Sequence, residues 1–188
     1  SAYIPGTDSL EIPLTIEGEH RIQAEVYDNA GNSATVTSGS LRIDKTKPTI
    51  SANPTTTSWG NKNVTVKLTF NDNASGVTTK QYAWSTSTST PSNWSDYVSD
   101  VTQSTQGVWY LHARIVDKAG NVLTTHFGPY RIDKTDPTIS ASPTTRDWLN
   151  TDVTVTLNYN DTGGSGVNQR QFKWSESTTT PRSEERRV

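Results

Sequence analysis

The chain has no cysteine and no methionine among its 188 residues. A disulfide framework, a zinc–thiolate centre, a cysteine nucleophile and cysteine redox chemistry are therefore excluded. Histidine is nearly as scarce. His20, His112 and His126 lie apart, in no metal-ligand spacing. Each reads as a surface or edge residue, and His112 falls on the solvent-facing parity of its strand. No Gly-x-Ser-x-Gly elbow accompanies the many serines. Nothing implies a cleft that would hold two acids at the ~5–10 Å separation of a glycosidase. No enzyme is expected. The net charge is only −2, with both signs interspersed, which gives no reason to expect nucleic acid or an anionic membrane as partner. Long apolar runs are missing and the N-terminus is not a signal peptide. An export signal or anchor is therefore expected outside these residues. A helical period is absent throughout.

What the chain does have is a repeat. Ile43 to Ala52 (IDKTKPTISA) returns as Ile132 to Ala141 (IDKTDPTISA), 89 positions on, as Asp44 to Asp133. Asp28-Asn29-Ala30-Gly31-Asn32 returns as Asp117-Lys118-Ala119-Gly120-Asn121, and Trp59 as Trp148. Asp72 to Val77 (DNASGV) returns as Asp161 to Val167 (DTGGSGV), one residue longer, so that Trp84 pairs with Trp174. A unit this long is a small domain rather than a solenoid repeat of ~20–50 residues.

The unit reads as strands and turns. Val64, Val66, Leu68 and Phe70 alternate on one face, as do Val153, Val155, Leu157 and Tyr159 in the copy. Tyr82 and Trp84 share a face, matched by Phe172 and Trp174; Leu111, Ala113 and Ile115 match Ile22, Ala24 and Val26. Asn71 to Gly76 is a polar turn, and the Ala-Gly-Asn turns place Gly31 and Gly120 where a positive φ is needed. Short strands separated by such turns within ~100 residues predict an all-β fold of sandwich type, with a core tryptophan on the third strand at Trp84 and Trp174. Trp84 is expected to be buried beside Val66, Leu68 and Ile115.

The order I-D-K-T-x-P, alternating Val/Thr strand, D-x-x-S-G-V and D-x-A-G-N resembles the bacterial Ig-like repeats of surface adhesins, S-layer-associated proteins and secreted multidomain proteins. The resemblance implies tandem immunoglobulin-like β-sandwich repeats, one complete and two partial. Residues 1–43 would be the C-terminal part of one repeat, 44–133 a complete sandwich, and 134–188 the N-terminal part of a further one. The tail from Arg182 to Val188 departs from the pattern.

The resemblance implies an extracellular, cell-surface or secreted location. It also implies a structural role, a spacer or stalk that projects a distal adhesive or catalytic domain. The alternative is a carbohydrate-binding accessory module, for which Trp59 and Trp94 are the candidate sugar platforms. Asp44, Asp133, Asp28, Asp117, Asp72 and Asp161 are the candidate calcium ligands, since hard cations take carboxylates and carbonyls, and some Ig-like repeats bind calcium near their junctions. Against this, Asp and Asn cap turns without any metal. The expected partners are neighbouring repeats of the same polypeptide, with glycan or host-surface ligands left to other domains. Self-association through the partial repeats is also expected, because each exposes an apolar face. An isopeptide crosslink at Lys67 is not expected, as that side chain points away from Val66 and Leu68.

Overall fold

The computed structural model describes residues 9–176, and every regular element within them is a β-strand. In chain order these are β1 (Gly18–His20), β2 (Gln23–Tyr27), β3 (Ser33–Thr37), β4 (Leu41–Ile43), β5 (Thr49–Asn53), β6 (Val64–Asn71) and β7 (Val77–Ser85). There follow β8 (Ser95–Asp96), β9 (Val101–Gln103), β10 (Gly107–Asp117), β11 (Val122–Ile132), β12 (Thr138–Ser142) and β13 (Thr156–Asn160).

The strands β5 to β11 form two sheets, one ordered β11-β10-β7-β8 and the other β5-β6-β9. Alternation decides what lies between them. Val66 and Leu68 from β6, Val101 from β9, Leu111 and Ala113 from β10 and Tyr130 from β11 form the buried core. Ile50, Phe70, Tyr82 and Trp84 pack against it. Trp84 is only partly buried, because it sits near the end of β7. Its ring meets that of Tyr130 edge-on at 5.3 Å. Burial beside Val66, Leu68 and Ile115 was the expectation; the indole packs on the cluster that holds Val66 and Leu68, and Ile115 is not a member of that cluster.

The second departure is His112. Its parity is the outer one, yet it is 1 % exposed. The loop after β7 folds over the outer face of the sheet, and the His112 Nε2 lies 2.8 Å from the Ser87 carbonyl oxygen. Strand parity says which face a side chain takes, and here a connecting loop covers that face. Lys67 points outward and is exposed.

The flanking segments repeat parts of this architecture. β1 pairs with β4 and β2 with β3, in the manner of the two halves of β10–β11; β12 pairs with β13 as β5 does with β6. Their apolar faces are open. Ile115 is fully buried, whereas its counterpart Val26 is 65 % exposed, and Ile139, Phe172 and Trp174 are exposed as well. The Gln171–Trp174 stretch is not a strand, although Gln81–Trp84 is one. In the complete unit that strand is held by β10. The tail from Arg182 onward lies outside the described residues.

Candidate functional site at the repeat junctions

At each Asp-Lys-Thr segment the same connector is built twice. The aspartate reaches forward. Asp44 Oδ2 accepts the Ser75 N–H at 3.0 Å, and Asp133 Oδ2 accepts the Ser165 N–H, also at 3.0 Å. Each aspartate also caps its own turn, Oδ1 accepting the N–H of Thr46 or Thr135, the local geometry for which short polar side chains are suited.

The lysine and threonine reach backward. Lys45 Nζ donates to the Thr15 carbonyl at 2.8 Å, and Lys134 Nζ to the Ser104 carbonyl at 2.7 Å. Glu17 accepts from the Lys45 N–H and the Thr46 hydroxyl; Gln106 accepts from the Lys134 N–H and the Thr135 hydroxyl. Thr15 and Ser104, and likewise Glu17 and Gln106, stand 89 positions apart. Sequence reasoning picked out the aspartates and missed these partners. The repeat offset, applied to residues 15–17, was the signal that would have found them.

Asp133 is the more enclosed aspartate, 6 % exposed. Its own N–H donates to the Gly60 carbonyl at 2.9 Å. Ser165, and after it the Thr135 N–H, hold its carboxyl below the usual carboxylate range. Asp44 is likewise lowered, first by Ser75 and then by the Thr46 N–H. In the first partial repeat, Asp28 accepts from the Ala30 N–H and from Asn32, and the Asn32 side chain is the main cause of its lowered pKa.

The structure brings three of the six candidate aspartates together. Asp44, Asp72 and Asp117 each offer a carboxylate oxygen, all within 4.8 Å of one another. Three segments are stitched at this pole. Asn121 Nδ2 donates to the Asp44 carbonyl and to Asp117 Oδ2, while the Lys118 N–H donates to the Gly76 carbonyl. The donor set has hard-cation chemistry. The three carboxylates already accept from the N–H groups of Thr46, Ser75, Ala74, Gly76 and Asn121. These dipoles offset part of the mutual repulsion of the three carboxylates. Asp133 and Asp161 meet around Ser165 in the second junction: the Ser165 N–H donates to Asp133 and its hydroxyl to Asp161.

The candidate sugar platforms are both partly buried. Trp59 lies in the groove at the second junction with Asn61, Asp133 and Ser165. Trp94 lies just before β8. The most exposed indole is that of Trp148, 102 % exposed, which sequence reasoning did not single out as a platform.

A two-sheet sandwich with open-faced copies of its strands on either side defines a tandem immunoglobulin-like array. A family model described as bacterial Ig-like domain matches residues 2–45 and 50–134, and the chain belongs to that family. No individual curated protein matches it.

Proposed function

We propose that the chain is a non-enzymatic spacer, a stalk segment of a bacterial cell-surface or secreted multidomain protein that carries a distal adhesive or catalytic domain. The observation that carries this reading is the duplicated connector. Asp44 and Asp133 are bonded to the repeat that follows, and Lys45 and Lys134 to the repeat that precedes. A linker with bonds in both directions loses the freedom of a flexible tether. The proline three residues after each lysine keeps the segment extended. Repeats joined in this way set reach.

Small-angle X-ray scattering over a dilution series tests the reading. A compact chain of this length has a radius of gyration of about 16 Å. The spacer is expected to exceed this clearly at infinite dilution, and the compact value would count against it. Polysaccharide pull-down separates the spacer from a sugar-binding module: retention that is lost on Trp59→Ala or Trp94→Ala would favour the module.

A further inference from the structure

Trp59 is placed with unusual care for a residue outside any strand. The segment before it runs beside β11: the Thr57 N–H and the Thr56 hydroxyl both donate to the Pro129 carbonyl, and the Arg131 N–H donates to Thr57 Oγ1. Gly60 then bridges to Ile132, its N–H on the Arg131 carbonyl and its carbonyl on the Asp133 N–H. Both sides of the indole's backbone are thus fixed to the strand that leads into the junction. The side chain meets the next repeat. A Cβ built on Gly164 would lie 2.9 Å from Trp59 Cη2, and one built on Gly163 would lie 1.7 Å from Asp133 Oδ1. Gly164 also has φ +106°, in the left-handed region that favours glycine.

This loop, DTGGSGV, is the copy that carries the inserted residue and the glycine pair; the earlier DNASGV loop has neither. The two loops therefore differ at the place where the second one meets an indole. Trp148, at the position equivalent to Trp59, has neither flanking late strands nor a loop against it among the described residues, and it is fully exposed.

We propose that Trp59 and the Gly163–Gly164 step form an inter-repeat lock, a contact surface by which one Ig-like repeat seats the loop of the repeat that follows. The proposal rests on the spacer reading and adds to it. Hydrogen bonds at Asp133 and Lys134 tether the junction, while the indole packed on a side-chain-free backbone fixes the angle. Only a loop with glycine at that step admits the ring.

Limited trypsin digestion of the whole chain, with fragments identified by mass, tests the lock. Cleavage after Lys134 reads opening of the second junction. Cleavage after Lys45 is the internal control for the first junction, and cleavage after Lys67 or Lys80 reports global unfolding of the sandwich. Trp59→Ala and Gly164→Ala are each expected to raise cleavage after Lys134 severalfold, with Lys45 unchanged. The double variant is expected to fall short of the product of the two single effects, since part of each is the one shared contact and only the strain of a side chain at φ +106° adds to it. Effects that multiply in the double variant, or a Trp59→Ala chain cleaved after Lys134 at the parent rate, would overturn the lock. If Trp59→Ala raises cleavage after Lys67 as well, Gly164→Ala carries the test from the other side, and parent-rate cleavage in that variant overturns the proposal. The spacer reading fails separately, if the parent chain is already cut after Lys134 as fast as an unstructured peptide.

Discussion

Leu111 shows how much of the sandwich rests on single side chains. It is fully buried on β10, opposite Trp84 on β7. Leu111→Ala leaves a cavity between two sheets and is expected to cost about 2–5 kcal/mol, read as a lower urea midpoint with an unchanged m-value. Tyr130 adds a pH dependence. Its ring is fully buried, and its hydroxyl donates to the Pro54 carbonyl at 2.7 Å. Burial pushes its pKa up to about 12, against about 10 in an unfolded chain. Between those values the unfolded chain gives up the proton and the folded one keeps it, so stability falls as pH rises through about 10. Tyr130→Phe is expected to start lower, because the Pro54 carbonyl loses its donor. It should then lose less stability than the parent between about pH 9 and pH 11. Equal losses in denaturation midpoint would contradict the assignment.

At the scale of elements, calcium is the sharpest question. The loops that carry Asp72 and Asp117 are tied by the Lys118 N–H to the Gly76 carbonyl, and to the junction by Asn121. The backbone N–H groups already neutralise much of the local field. Millimolar calcium is therefore expected to shift the melting temperature little. A clear rise with calcium that magnesium does not reproduce would show that an ion, and not the turn hydrogen bonds, organises this pole. Strand placement was legible in the sequence because the alternation of Val64, Val66 and Leu68, and of Leu111, Ala113 and Ile115, has one meaning in a two-sheet fold. The Ala-Gly-Asn turns were legible for a similar reason: Gly31 and Gly120 have φ +90° and +92°. His112 was not legible, since what buries it is the long Ser/Thr/Pro loop after β7, whose path alternation does not encode. The gathering of Asp44, Asp72 and Asp117 was equally hidden, because residues far apart in sequence meet only once the sandwich closes. The duplicated partners Glu17 and Gln106 were available from the repeat offset alone. Their different chemistry, carboxylate in one copy and amide in the other, masks a shared role as acceptor.

For the whole molecule, the flanking segments repeat strand pairs of the central sandwich. β1 to β4 correspond to late strands, where Ile22 and Val26 are exposed although their counterparts Leu111 and Ile115 are buried; β12 and β13 correspond to early ones, where Val155 and Leu157 are half-buried although their counterparts Val66 and Leu68 are buried. A polypeptide of these 188 residues on its own is expected to associate head to tail, an early half completing a late half of another copy. Its apparent mass in multi-angle light scattering should rise with concentration, and Val26→Asp should suppress the rise. A constant monomer mass, with both flanking segments protected from hydrogen exchange, would contradict this.

A stalk requires a rigid connector, where Asp133 bonds to Ser165 ahead and Lys134 to Ser104 behind. Amide hydrogen exchange resolved at single residues measures it directly. The N–H groups of Asp133, Lys134 and Ser165 are bonded to Gly60, Gln106 and Asp133. They are expected to exchange orders of magnitude more slowly than in a flexible linker, and Asp133→Ala should release Ser165 while leaving β10 protected. Exchange of all three at the rate of an unstructured peptide would show that the repeats are joined by a tether and do not form a stalk.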